Sequence, residues 1–117
     1  MMNQELLDRL DLIEFRQELL FDDTSFSRLL FEMKVTRKQH RQILDLFDSL
    51  RDKVDNAERI SSSAYESKIY EIVPQCQHSY HFAESVAQTL HEEGRWEEVF
   101  EGLYGDVQKF QHYLNNK

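Results

Sequence analysis

The chain has 117 residues, 40% of them apolar and 31% charged, and its 22 acids against 14 bases give a formal charge of −8. That length fits one domain, residues 1–117, large enough to bury a core, and three glycines with a single proline are too few for a turn-rich β architecture. The acidic balance opposes nucleic acid and anionic lipid except through a local basic patch, and the longest apolar runs, Leu19-Leu20-Phe21 and Leu29-Leu30-Phe31, fall far short of the ~20 residues that span a bilayer.

An all-α fold is therefore expected, a multihelical bundle of about five helices. Met1-Met2-Asn3-Gln4-Glu5 has neither the basic nor the apolar segment of a secretion signal. Cys76 stands alone and cannot close an intrachain disulfide, so a reducing cytoplasm is the expected home.

Residues 3–21 read as a coiled-coil-like first helix. Leu6, Leu10, Ile13 and Leu20 follow one stripe, with Gln17 where an apolar residue belongs, and Leu12, Phe15 and Leu19 lie on a second stripe beside it. Two apolar stripes exceed what one neighbour can cover, so this helix is either central in a bundle or shared with another subunit. Gln17 is either a polar core position that fixes register or a residue at the stripe's edge.

Asp22-Asp23-Thr24-Ser25 supplies cap residues. A short helix follows with Phe26, Leu29, Leu30 and Met33 on one face, ending near Lys34. Thr36 and Gln39 have capping-box spacing, and the stripe Ile43, Phe47, Leu50, Val54 predicts a long helix from Val35 to about Ile60. Ser63 and Glu66 repeat that spacing before Tyr65, Ile69 and Ile72, and Pro74 stops the run.

From Ser79 a further helix carries Phe82, Val86 and Leu90, closed by Gly94. The last helix restarts at Arg95 and places Trp96, Phe100, Leu103, Val107, Phe110 and Leu114 at alternating steps of four and three. Gly102 and Gly105 weaken it, so a bend near Tyr104 is expected. With the first helix, its Trp96, Phe100, Leu103, Val107 and Phe110 make up the expected subunit interface.

No stretch is a specific sign of catalysis. There is no Glu-x-x-His, no His-Glu-x-x-His, no Gly-rich phosphate loop and no Gly-x-Ser-x-Gly. Acid pairs such as Glu92-Glu93 and Glu97-Glu98 read as solvated helix faces. Cys76, His78 and His81 form a Cys-x-His-x-x-His group with zinc-type donors, followed by Glu84. A second Cys/His pair is missing, so the group reads as a polar loop around a half-buried thiol; no cofactor and no metal is expected. Lys34, Arg37, Lys38 and Arg41, with His40, form the only basic island. It is a candidate anion or phosphate site, or a nucleic-acid contact on a loosely helix-turn-helix-like joint; the plainer reading is a solvated surface with Lys34 capping the preceding helix.

Three segments carry a resemblance. They are Phe26-Ser27-Arg28-Leu29-Leu30-Phe31-Glu32-Met33-Lys34-Val35-Thr36, Ser85-Val86-Ala87-Gln88-Thr89-Leu90, and Gly94-Arg95-Trp96-Glu97-Glu98-Val99-Phe100. Together with the leading helix and the Ile43–Val54 stripe they resemble the YhaI-like proteins of Bacillus and relatives, small helical proteins of unknown function. The resemblance implies a cytoplasmic bacterial homo-oligomer whose helices intertwine between subunits, and it favours a trimer over a dimer; it carries across no catalytic motif. The expectation is thus a non-enzymatic helical homo-oligomer acting through protein–protein contacts, with self and an unidentified protein as partners and no membrane. A nucleic-acid-associated regulator using residues 34–41 is the alternative.

Overall fold

The computed structural model describes residues 3–115, and they are all-helical. In chain order the helices are α1 (Gln4–Asp22), α2 (Ser25–Glu32), α3 (Arg37–Asp55), α4 (Ser62–Ile72), α5 (Phe82–Glu92), α6 (Glu97–Tyr104) and α7 (Gln111–Asn115). Short 3₁₀ turns at Pro74–Cys76 and Gln108–Phe110 join α4 to α5 and α6 to α7. No strand occurs among the described residues.

Side-chain caps start four of these helices. Asn3, Thr24, Thr36 and Ser61 accept from the backbone N–H groups of Leu6, Ser27, Gln39 and Ala64. At Thr36 the reciprocal bond from the Thr36 N–H to Gln39 Oε1 completes the expected capping box, and Thr24 with Ser27 forms another. Three helices end in paired bonds of the Schellman type, with Lys34, Ala57 and Gly94 left-handed at φ of 57°, 61° and 75°. After α2 they run from Val35 N–H to Leu30 O and from Lys34 N–H to Phe31 O; after α3, from Glu58 N–H to Lys53 O and from Ala57 N–H to Val54 O. After α5 they run from Arg95 N–H to Leu90 O and from Gly94 N–H to His91 O. The motif at Ala57 stops α3 at Asp55, short of the Ile60 that periodicity predicts.

The core lies where α3, α4, α5 and α6 converge, with α2 packed on α5. Ile43, Phe47 and Leu50 of α3 are buried, as expected from their stripe; so are Tyr65 and Ile69 of α4, Phe82, Val86 and Leu90 of α5, and Val99, Phe100 and Leu103 of α6. Tyr65 and Tyr70 donate to the carbonyls of Ala83 and Ser79, each at 2.6 Å, fastening α4 to the start of α5. Ala83 and Ala87 are buried and let the neighbouring helix approach closely. A Cβ on Gly102 would lie 2.9 Å from Ile60 Cδ1, so its bare backbone is where the α3–α4 connection closes on α6.

The expected single last helix is two. α6 ends at Tyr104, the chain bends through Gly105, and the next turn brings Phe110 back beneath Phe100 and Tyr104, at ring separations of 5.3 and 5.2 Å. That break adds one helix, and the described residues hold seven where about five were expected.

The molecule is elongated, 53 × 27 × 26 Å, with a radius of gyration of 15.4 Å; a compact chain of this length has about 13 Å. The excess is α1. Of its residues only Phe15 and Leu19 are buried. It packs chiefly on α2 and the start of α3, and its N-terminal half stands clear of the core.

Candidate functional site

The two apolar stripes of α1 have separate fates. Phe15 and Leu19 face the chain's own core at 3% exposure each, with Leu12 half-buried beside them. Leu6, Leu10, Ile13 and Leu20 point away and remain 43%, 42%, 55% and 58% exposed. Leu7 and Phe21 flank them at 44% and 90%. Apart from Tyr80, these six are the exposed large apolar side chains among the described residues. An apolar run of this kind on one helix marks an interaction surface.

The other expected interface residues lie elsewhere. Phe100, Leu103 and Phe110 are 0%, 6% and 7% exposed inside the chain's own core. Trp96 and Val107 are half-buried against it, and Trp96 donates from its indole N–H to Asp48 at 3.2 Å. These residues, expected at a subunit contact, serve the chain's own core in this structure. α6 packs on α3 and α5, and the turn after Gly105 brings Phe110 back beneath Phe100.

Arg37 joins α1 to α3. Its Nε lies 3.1 Å from Asp11 Oδ1 and its Nη1 2.8 Å from Glu18 Oε2, while the guanidinium stands 5.2 Å above the Phe15 ring. The hydrogen bond to Glu18 raises the guanidinium pKa above its ordinary value. The centre of the basic island is therefore neutralised by acids of another helix. Lys34, Lys38 and Arg41 are exposed around it, and the groove of about 740 Å³ lined by Arg37 and Lys38 is also lined by Glu5, Asp8, Arg9 and Asp11. His40 sits behind the island, half-buried between the rings of Phe15 and Phe26 at 5.5 and 5.7 Å. Burial first, and then the charge of Arg95, lowers its pKa below the usual 6.5, against a smaller opposing effect of Asp22.

The Cys-x-His-x-x-His group is not assembled. Cys76 is 1% exposed in the core and burial pushes its thiol pKa up, whereas His78 and His81 are exposed at the surface. His81 Nδ1 lies 3.6 Å from Glu84 Oε2, and Lys109 Nζ lies 2.7 Å from that same oxygen. No group of three His, Cys, Asp or Glu that could hold a metal occurs among the described residues.

Sequence reading missed His91, which is 1% exposed beneath the C-terminal segment. Its position on the buried Phe82–Val86–Leu90 face of α5 was the available signal, since helical neighbours one residue apart both border a wide apolar face.

No protein-family model, no curated protein and no solved structure matches this chain. No helix among the described residues is long and apolar enough to cross a membrane.

Proposed function

We propose that this protein is a non-enzymatic helical homo-oligomer that acts through protein–protein contacts, with the Leu6–Leu10–Ile13–Leu20 face of α1 as the surface where its copies meet. One observation carries the reading: the chain closes its core with other residues and leaves this face outside it. Covering apolar area is worth about 25 cal/mol per Å², and an uncovered face of this length is an aggregation liability. The likeness to the YhaI-like proteins belongs to the same proposal. So do a cytoplasmic setting, a further protein partner, and a trimer in preference to a dimer. Pairing of the central Arg37 with Asp11 and Glu18, in a chain of formal charge −8, supports a protein surface as the binding partner over nucleic acid.

Sedimentation equilibrium at micromolar concentration tests the proposal. The native chain is expected to show a multiple of the subunit mass, and Ile13→Glu to show one subunit with an unchanged thermal melt, because Ile13 makes no contribution to the chain's own core. A compact native monomer would overturn the reading.

A further inference from the structure

The α1 face also carries the information for how its copies are oriented, an inference that rests on the self-association proposed above. Leu6, Leu10, Ile13, Gln17 and Leu20 are separated by four, three, four and three residues, which places them at d, a, d, a and d of a heptad. The flanking e positions are then Leu7, Glu14 and Phe21, and the flanking g positions are Arg9 and Arg16. The residues that pack on the chain itself, Leu12, Phe15 and Leu19, fall at c and f, on the side away from the seam. One rigid helix therefore serves its own core with one side and offers a complete heptad seam with the other.

We infer that copies of this chain pair through α1 in parallel and in register. In that arrangement a g residue meets the following e residue of the neighbouring helix, so Arg9 of one copy faces Glu14 of the next. Both are exposed, and among the described residues neither takes part in an ion pair within its own chain. The other g residue, Arg16, is already occupied: its guanidinium lies 4.0 Å above the Phe31 ring and donates to the Phe31 carbonyl at 3.2 Å. Its parallel counterpart at e is the uncharged Phe21, so the pairing sets no like charge against it.

Parallel pairing in register also stacks each Gln17 against its equivalents, where the amides can hydrogen-bond to one another. Antiparallel pairing fails on each count. It brings g positions together, Arg9 toward Arg16, and e positions together, Leu7 toward Glu14. It also sets Gln17 across from a leucine, leaving a buried amide without a partner.

Two sets of variants test orientation separately from association. Leu6→Cys and Leu20→Cys lie at opposite ends of the exposed seam, outside the chain's core; the native Cys76, 1% exposed, serves as the non-crosslinking control. Under mild oxidation each single variant is expected to crosslink to itself. Arg9→Glu and Glu14→Arg are each expected to weaken association about fivefold or more, and the double reversal to restore it. Failure of each single variant to crosslink to itself, with crosslinking in a mixture of Leu6→Cys and Gln17→Cys from a chain that still sediments as an oligomer, would overturn the parallel arrangement and leave self-association standing. A native chain that sediments as a single subunit would overturn both.

Discussion

The hydroxyl of Tyr113 lies 2.7 Å from Nδ1 of His91, and this contact ties the C-terminal segment to the last turn of α5. The rings of His91, Phe100 and Tyr113 form one cluster, with His91 4.8 Å from Phe100 and 5.4 Å from Tyr113, and those two 5.7 Å apart. Lys109 and Glu84 tie the same segment to α5 at 2.7 Å, and Phe110 plugs the core beneath it. Burial raises the Tyr113 pKa, so the phenol keeps its proton near neutrality. Tyr113→Phe keeps the ring and removes the hydroxyl bond, leaving the buried imidazole nitrogen short of that partner. A loss of about 1–2 kcal/mol is expected, read by urea denaturation at pH 7. A change below measurement error would mean that the contact does not persist in solution.

His40 makes stability depend on pH in a definite direction. Its folded pKa is below the ordinary 6.5, mainly because burial disfavours the imidazolium and secondly because Arg95 repels it. In the window between the folded pKa and 6.5, the unfolded chain therefore binds more protons than the folded one. Stability rises with pH through that window and is lost as pH falls from about 6.5. His40→Gln is expected to flatten the dependence of melting temperature on pH between about pH 7 and 5. An equally steep profile in the variant would assign the effect to another group.

Ala57 and Lys34 carry conformational strain that glycine would relieve. Each is left-handed at a helix terminus, at φ 61° and 57°, a region that costs a residue with a Cβ roughly 1–2 kcal/mol. Gly94 occupies the equivalent position after α5. Ala57→Gly and Lys34→Gly are each expected to stabilise by about 0.5–1 kcal/mol, after the extra entropy of an unfolded glycine is set against the relief. Gly94→Ala is expected to destabilise by a similar amount. A Cβ there would meet only Glu97 Oε1, at 3.5 Å, so that change isolates backbone strain from crowding. Thermal melts of the three variants check the signs.

Periodicity made much of the fold legible. Ile43, Phe47 and Leu50 are buried as their spacing requires, and the Thr36 cap and the Gly94 stop stand where their side-chain chemistry puts them. Other features were not legible, each for its own reason. Ala57 ends α3 without the glycine or asparagine that usually marks a left-handed residue, so the stop at Asp55 was not visible. A bend near Tyr104 was expected from Gly102 and Gly105, but the full break was obscured because Val107, Phe110 and Leu114 keep the helical spacing across it. Periodicity also identifies an apolar stripe without naming its neighbour, so nothing local separates Phe15 and Leu19, which turn inward, from Leu6 and Ile13, which do not. The partners of Arg37 lie 26 and 19 residues away on another helix, beyond any local pattern. For that reason the sequence left the island open between an anion site, a nucleic-acid contact and a solvated surface.

Gln17 is the position where specificity and affinity should separate. It is exposed on α1 at an a position of the seam, between Ile13 and Leu20. A polar residue in such a layer lowers stability and, by requiring a like partner at the same level, restricts the register and number of strands. Gln17→Leu completes the apolar seam without touching the chain's own core. Association is expected to tighten by about tenfold, equivalent to about 1.4 kcal/mol. The variant's mass distribution should broaden from one species to several, because a seam of aliphatic residues no longer rejects shifted or differently numbered assemblies. Sedimentation velocity across a dilution series reads both effects. Tightening without broadening would show that Leu10, Ile13 and Leu20 set the strand number unaided, and no tightening would place Gln17 outside the contact.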